Sequence, residues 1–160
     1  MSGPSSDQTF EFVRLSDLPE MIEACAQMND TEWGDGSDDS LEMRRAAFRR
    51  LALAAEEEDA ILCLASNGDL AAMALLIEND LPEFPDLGPW LASLIVAPAY
   101  RKQGLSGRLI GEVENLAREF GHEALFIYTR SPQLYHSCGY QDVEQHNVDD
   151  ALFHILGKAL

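Results

Sequence analysis

The most constraining feature of this chain is one continuous stretch that predicts a buried strand, a glycine-containing turn and a helix. Residues 91–96 form an apolar run of the length that buried strands have, and Pro98 interrupts the chain after them. Apolar residues then recur at helical spacing, at Leu105, Leu109, Val113, Leu116 and Phe120. The stretch therefore predicts a helix N-terminus shortly after the end of a buried strand.

The turn between this strand and this helix has the properties of an anion site. The first turn of a helix leaves backbone N–H groups free and carries a partial positive charge. Gly104 and Gly107 let an anion approach the backbone, and Arg101, Lys102 and Arg108 add positive charge. The simpler alternative is a strand-to-helix connection with a basic rim.

The residues of this turn resemble a known signature. Val96-Ala-Pro98 followed by Arg101-Lys-Gln-Gly104-Leu-Ser106 is similar to the acyl-CoA motif of the GNAT N-acetyltransferases, which is Arg or Gln, two residues, Gly, one residue, then Gly or Ala. Ser106 departs from it at the last position. The resemblance implies that amides of this turn hold the pyrophosphate of acetyl-CoA. The cofactor-binding residues that it implies are Leu94, Ile95, Val96, Arg101, Lys102, Gln103, Gly104, Leu105, Ser106 and Gly107.

A second segment, residues 134–140, resembles the other signature of the same family. There a Tyr precedes a Gly by four residues and an aromatic residue follows the Gly, as do Tyr135, Gly139 and Tyr140 here. The resemblance implies that Tyr135 is the catalytic acid that protonates the CoA thiolate. It also implies that the amides at Leu94, Ile95 and Val96 grip the pantetheine arm and polarise the thioester carbonyl. An amphipathic core tyrosine is the alternative for Tyr135.

The general base is not evident in the sequence. Some family members have a Glu on the central strand or on the strand after the central helix, and neither strand has a carboxylate here. Deprotonation is therefore expected through water, which would be held by Ser93 or Tyr128, or by Glu78 or Asp80 at the end of a hairpin. An acceptor amine with a modest pKa would need no dedicated base. His136 and His146 are further candidates for the base, and Cys138 is a candidate nucleophile. We interpret the two histidines as surface residues and Cys138 as a packing residue, because no basic partner that would activate its thiol is evident.

Composition narrows the class of protein. The chain has 160 residues, of which 46% are hydrophobic, which favours one folded domain over residues 9–160. Residues 1–8 are predicted to be a flexible lead-in rather than a signal peptide. No apolar run reaches the length of a membrane span, and the three cysteines lack metal-ligand spacing, so we expect a cytoplasmic protein with no metal and no membrane association.

The net charge of −17 argues against a nucleic-acid-binding surface, because binding to a phosphate backbone needs an excess of Lys and Arg. Steering of a cationic acceptor would fit this charge, and we favour the simpler interpretation of solubility or adaptation to salt. Residues 100–108 nevertheless carry three basic residues and no acid. The predicted anion site is thus locally basic in an acidic protein.

The N-terminal part predicts a strand and two helices. Residues 9–14 alternate like a strand, and the spacing of Asp17 and Glu20 predicts a capped helix after it. Residues 29–40 are acidic and contain glycine, which predicts a loop. Trp33 lies in that loop, where we favour an anchor on the core over a residue that lines an acceptor pocket.

The rest of the chain predicts a hairpin and three further strands. Asn67-Gly68 between two apolar runs is a strong hairpin signal. Around it the pattern predicts a helix from residue 39 or 40 to about 57, strands at 60–66 and 69–77, a loop at 78–88, a strand at 124–129, a short helix opened by Ser131-Pro132, and strands at 141–144 and 151–156.

Together these features predict an α/β (α+β) domain of the GNAT fold, with a mixed, mostly antiparallel sheet of six to seven strands, a splayed centre and about four helices. The resemblance implies an acetyl-CoA-dependent N-acetyltransferase that acts on a primary amine by direct attack in a ternary complex, and it implies a possible homodimer. We favour a small-molecule amine as acceptor. The alternatives are a protein or peptide N-acetyltransferase and a non-catalytic acyl-CoA-binding sensor module.

Overall fold

The computed structural model describes residues 9–160, so the predicted flexible segment at 1–8 lies outside the described residues. The described part contains seven strands and four helices. The strands are β1 (Phe10–Arg14), β2 (Asp59–Ala65), β3 (Leu70–Ile77), β4 (Trp90–Val96), β5 (Ala124–Thr129), β6 (Gln141–Val148) and β7 (Ala151–Ala159). The helices are α1 (Ile22–Trp33), α2 (Asp38–Leu53), α3 (Leu105–Glu119) and α4 (Gln133–Ser137).

All seven strands belong to one open sheet in the order β1-β2-β3-β4-β5-β7-β6. β4 and β5 run parallel, and every other neighbouring pair is antiparallel. β4 and β5 pair at a single position, Trp90 with Phe126. The two strands therefore separate beyond Trp90, and the predicted mixed, mostly antiparallel sheet with a splayed centre is confirmed.

Helices cover both faces of the sheet. On one face, α3 buries the predicted apolar stripe, with Leu109, Val113 and Leu116 at most 2% exposed. On the other face, α1 and α2 bury residues such as Cys25 and Phe48 against β2, β3 and β4. The sheet is thus the middle layer of three, which explains why its central strands are apolar on both sides.

The region between β1 and α2 differs from the prediction. Asp17 does not cap a helix, because it closes a short 3₁₀ turn that ends before Leu18, and Pro19 opens a second such turn before α1. A residue before proline is disfavoured in the helical region, and Leu18 has φ −142° and ψ 61°. The predicted loop at residues 29–40 is also mostly helix, because α1 continues to Trp33 and α2 begins at Asp38.

Three other boundaries shift. α2 ends at Leu53, with Ala54 as its C-cap, rather than near residue 57. β6 and β7 are longer than predicted, since they pair with each other from Gln141 to Val148. The strand β6 is largely exposed and polar, so its length follows from pairing and not from an apolar pattern. Within residues 9–160, no helix is both long and apolar enough to cross a membrane.

Candidate active site

β4 is irregular where it leaves β5. Its pairing with β3 shifts so that two residues, Ser93 and Leu94, occupy the space opposite Ala74 alone. Ser93 has a φ of 52°, a left-handed conformation that few residues other than glycine adopt. The bulge and the separation from β5 together turn backbone groups of β4 toward the gap between the two strands.

The three predicted donor-strand residues follow this bulge. Leu94 and Val96 are half-buried beside the α3 core, whereas Ile95 is 6% exposed and packs with α1 and α2. The side chain of Ile95 is therefore part of the core, whereas those of Leu94 and Val96 remain partly accessible. The structure brings Leu94 into the cavity described below, together with its neighbour Ser93.

The predicted pyrophosphate turn has open backbone at the start of α3. Gly104 is the N-cap residue in a left-handed conformation with φ 76°, and no side chain caps the helix. A Cβ added at Gly104 or Gly107 would meet no other atom within 4 Å. The first amides of α3 thus face open space, as binding of an anion requires.

The basic residues of this turn are held in different ways. Arg101 donates a hydrogen bond of 3.0 Å from Nε to the carbonyl of Val96, which ties the turn to the end of β4. The Arg108 guanidinium lies 4.8 Å from the ring centre of Phe12. Lys102 is exposed. The residues present suit a diphosphate: the start of α3 has no side-chain cap, and three basic residues lie within four positions of Gly104.

The other residues predicted to bind the cofactor at this turn differ in how exposed they are. Gln103 is exposed, and Ser106, where the motif departs from the family pattern, is half-buried in the first turn of α3. Leu105 is 2% exposed and belongs to the core, so only its backbone is available to a ligand.

A cavity of about 410 Å³ occupies the gap between β4 and β5. Five parts of the chain besides these strands contribute to it: the end of α1, the β3–β4 connection, the β5–α4 connection, α4 and β7. The lining residues are Trp33, Asp80, Leu91, Ala92, Ser93, Leu94, Ile127, Tyr128, Thr129, Arg130, Ser131, Tyr135 and Phe153.

Of the four residues that the sequence offered for deprotonation, three line the cavity. Asp80, Ser93 and Tyr128 all line it, whereas Glu78 lines a separate surface pocket. Burial raises the pKa of Asp80 to about 6. The pKa of Tyr128 is raised as well, first by burial and then by the negative charges of Asp80 and Glu83. Asp80 is therefore a carboxylate that can accept a proton near neutral pH.

Tyr135 lies in the same cavity as Asp80. It is 8% exposed, and its ring packs edge-on against Tyr140 with 6.1 Å between the ring centres. Burial, with a smaller contribution from Cys138, raises the pKa of Tyr135 to about 12. Its hydroxyl therefore keeps its proton at neutral pH and is available as a hydrogen-bond donor in the cavity.

A buried polar network behind Tyr135 was not anticipated from the sequence. The Tyr140 hydroxyl and the Lys158 Nζ both donate to one carboxylate oxygen of Glu114, at 2.9 and 3.0 Å. Lys158 also donates to the carbonyl of Cys138 at 2.9 Å. The network links α3 and β7 to the end of α4, and it thereby fixes the segment that carries Tyr135. The available signal was that Glu114 lies at helical spacing from the apolar residues Ile110 and Ala117 of α3.

Trp33 is placed differently from the favoured interpretation. It is 51% exposed at the end of α1, so the core anchor is wrong, and it lines the cavity instead. Sequence reasoning missed Arg130 and Phe153 as lining residues. Arg130 directly follows β5 and Phe153 belongs to β7, and only the pairing of these strands brings them together.

The three residues set aside as bases or nucleophiles lie outside the cavity. His136 contacts Asp142 at the surface, with 3.0 Å between His136 Nε2 and a carboxylate oxygen. His146 packs edge-on against Phe84. Cys138 is half-buried beside the network just described. Within the described residues, no group of three His, Cys, Asp or Glu side chains is arranged to hold a metal ion.

Comparison with known proteins identifies the family to which this sequence and this fold are similar. The family model of the acetyltransferase (GNAT) family matches residues 20–140, and a search of curated proteins gives no match. Solved structures match over nearly the whole chain. One described as a GNAT-family acetyltransferase from Desulfovibrio desulfuricans is 17% identical with a TM-score of 0.72, covering 94% of this chain and 99% of its own.

Two further structures have informative ligands or substrates in their descriptions. The aminoglycoside acetyltransferase AAC(6')-Iy, in complex with the bisubstrate analogue CoA-S-monomethyl-acetylneamine, is 17% identical with a TM-score of 0.69, and the match covers 88% of this chain and 96% of that one. The spermidine/spermine N-acetyltransferase SpeG from Vibrio cholerae is 12% identical with a TM-score of 0.68, covering 94% and 95%. At these identities the likeness shows the fold.

Proposed function

The chain belongs to the GNAT acetyltransferase family, and from this premise we propose that it transfers the acetyl group of acetyl-CoA to a primary amine of a small molecule. The observation that carries the proposal is the cavity between the separated strands β4 and β5, which has Asp80 and Tyr135 among its lining residues. A proton acceptor and a proton donor thus share the space in which the acetyl group and an amine would meet.

The donor is proposed to bind along the path from α3 to this cavity. The uncapped amides at Gly104 and the cations Arg101, Lys102 and Arg108 suit the pyrophosphate. The backbone of Leu94, Ile95 and Val96 then faces the pantetheine arm, because β5 has separated from β4 there. The same backbone groups are positioned to donate to the thioester oxygen as negative charge develops on it.

Acyl transfer by direct attack needs two proton movements. Asp80 accepts a proton from the bound ammonium group, so that the neutral nitrogen attacks the thioester carbonyl, its C–N bond forms and the C–S bond breaks. Tyr135 donates its hydroxyl proton to the departing sulfur. The nitrogen loses a second proton as the amide forms; this proton passes through solvent to the Tyr135 phenolate, and Asp80 releases its own proton to solvent. The raised pKa of Asp80, about 6, supports its part.

The structure supports a non-catalytic acyl-CoA-binding module less well than the sequence alone did. Its main argument was that the central strands lack a carboxylate base. Asp80 supplies a carboxylate to the cavity from the β3–β4 connection instead. A cavity of about 410 Å³ that must also hold the acetyl end of the donor likewise favours a small acceptor over a folded protein.

The proposal is tested by thiol release from acetyl-CoA with mixtures of polyamines, amino acids, aminoglycosides and peptides. We expect release with at least one mixture of small amines, and acetylated amine detected by mass spectrometry. Tight binding of CoA by calorimetry without thiol release from any mixture would contradict the enzymatic proposal and favour the binding module.

A further inference from the structure

We infer that the amine acceptor is a zwitterion, a small primary amine that also carries a carboxylate, such as an α-amino acid, and that Arg130 binds this carboxylate. The inference rests on the proposed acetyl transfer and adds the chemical class of the acceptor. Among residues 9–160, Asp80 and Arg130 are the two charged side chains that line the cavity. The site therefore offers one negative and one positive group to a single ligand.

Arg130 has no internal partner that would neutralise it. The chain carries 28 acidic and 11 basic residues, so acidic partners are abundant. Five basic residues form ion pairs with acids, namely Arg14, Arg44, Arg45, Arg50 and Lys158. Within the described residues no such ion pair involves Arg130. Its guanidinium is therefore free to bind an anionic ligand group.

Contacts on either side of Arg130 restrict its position. Its guanidinium carbon lies 5.9 Å from the ring centre of Phe153. The backbone N–H of Ser131 donates to Thr129 Oγ1 at 3.0 Å, which closes a tight turn around Arg130 at the end of β5. Arg130 is an exposed residue, so its guanidinium is accessible to a ligand, and its parallel N–H groups match the two oxygens of a carboxylate.

The rest of the lining suits the other parts of such a ligand. Asp80 accepts from an ammonium group, and the aromatic side chains Trp33, Tyr128 and Phe153 provide apolar surface for an amino-acid side chain. Arg130 also discriminates. A diamine or polyamine that presented a second cation to Arg130 would be repelled, whereas a carboxylate would be attracted.

The same anion-binding chemistry could serve the donor, because acetyl-CoA carries phosphates. Kinetics distinguishes the two roles of Arg130, because each role affects the KM of a different substrate. A role at the acceptor changes the KM for the amine and leaves the KM for acetyl-CoA as it was. A role at the donor does the reverse.

The experiment measures thiol release with a panel of α-amino acids, each paired with its own primary amide, which keeps the amine and removes the negative charge. We expect the wild-type enzyme to prefer the acids. In Arg130→Gln, the KM for the acids should rise on the order of 10- to 100-fold, the value typical of a lost charged hydrogen bond, while the amides are unaffected. Arg130→Lys should restore part of the loss. Arg49→Gln is the matched control, because Arg49 is an exposed arginine of α2 outside the cavity.

Three results would overturn the inference and leave acetyl transfer itself standing. The first is a wild-type preference for amides or polyamines over amino acids. The second is an equal loss for acid and amide in Arg130→Gln. The third is a raised KM for acetyl-CoA in that variant with an unchanged KM for the amine. Release from no acceptor at all would overturn the proposed function and this inference with it.

Discussion

The donor turn at residues 101–108 and the cavity beside Tyr135 are built in opposite ways. The turn is a contiguous piece of chain whose uncapped amides and nearby cations lie within a few residues of Gly104. The cavity takes its side chains from α1, the β3–β4 connection, β4, β5, the β5–α4 connection, α4 and β7. The turn relies on backbone, which any sequence with the right glycines supplies, and the cavity relies on side chains that only this fold brings together.

This contrast explains why the donor turn resembles a contiguous family motif, whereas in the cavity only Tyr135 belongs to one. A diphosphate is the same in every reaction that uses acetyl-CoA, so one local arrangement of amides serves it. Acceptors differ, and their recognition depends on residues such as Asp80 and Arg130, which are 50 positions apart in the sequence. Mutations should therefore separate the two regions cleanly, with donor binding on one side and acceptor chemistry on the other.

The largest effect is expected for Gly104→Glu. The change adds a negative charge and a side chain where the diphosphate would rest, at a residue with φ 76°. We expect affinity for CoA to fall by more than about 100-fold, as measured by calorimetry. Gly68→Glu is a matched control, because Gly68 also has a positive φ of 91° and open surroundings but lies in the β2–β3 turn. Equal affinity in wild type and Gly104→Glu, with the fold intact, would disprove the donor site.

The second effect concerns Asp80→Asn, which should lower kcat by about 100-fold while the affinity for CoA is unchanged. Since the pKa of Asp80 in the free protein is raised to about 6, wild-type kcat/KM should rise with pH through about 6, and the variant should lose this limb. Glu78→Gln, outside the cavity, is the control. An unchanged pH profile in Asp80→Asn would remove Asp80 from proton transfer.

Asp80→Asn should lower kcat but raise the stability of the folded protein. Burial raises the folded-state pKa of Asp80 from the usual 3.8, so its contribution to stability is present below about pH 4 and is lost as the pH rises through about 6. At pH 7, Asp80→Asn should therefore increase the free energy of unfolding, by about 1–3 kcal/mol, in urea titrations. Less stability in the variant at pH 7 would show that the carboxylate has a favourable partner.

A smaller effect is expected for Tyr135→Phe, which removes the hydroxyl and keeps the ring packed against Tyr140. We expect kcat to fall about tenfold, because a thiolate departs readily even without a proton donor, and CoA affinity should be nearly unaltered. Tyr100→Phe is the control, since the Tyr100 hydroxyl bonds to Asp69 on the surface. Equal turnover in wild type and Tyr135→Phe at saturating substrate would exclude Tyr135 from the mechanism.

The smallest effect is expected for Trp33→Ala. Trp33 is 51% exposed, so its loss should leave the melting temperature nearly unchanged. It should raise the KM for the amine by a few-fold, because an aromatic wall of the acceptor region is removed. Leu53→Ala, at an exposed apolar residue outside the cavity, controls for lost surface hydrophobicity. A raised KM for acetyl-CoA would instead assign Trp33 to donor binding and would contradict the separation of donor and acceptor regions.

Local patterns determined most of the fold. The apolar stripe of α3, the Asn67-Gly68 hairpin and the glycine turn are each encoded within a few residues, because helix periodicity and turn geometry depend on near neighbours. The order of strands and helices and the start of α3 after the glycine turn were predictable on the same basis, whereas Tyr135 was singled out only by the resemblance to a family signature. The boundaries failed where local signals were weak, as at the polar strand β6 and the acidic end of α1.

Only the tertiary structure decided which side chains meet at the gap in the sheet. A single pair, Trp90 with Phe126, joins β4 to β5, and the bulge at Ser93 then opens the cavity. Asp80 and Arg130 enter it from two connections whose sequences show no common pattern. Their proximity follows from strand pairing over long sequence separations, and nothing in the neighbourhood of either residue encodes it.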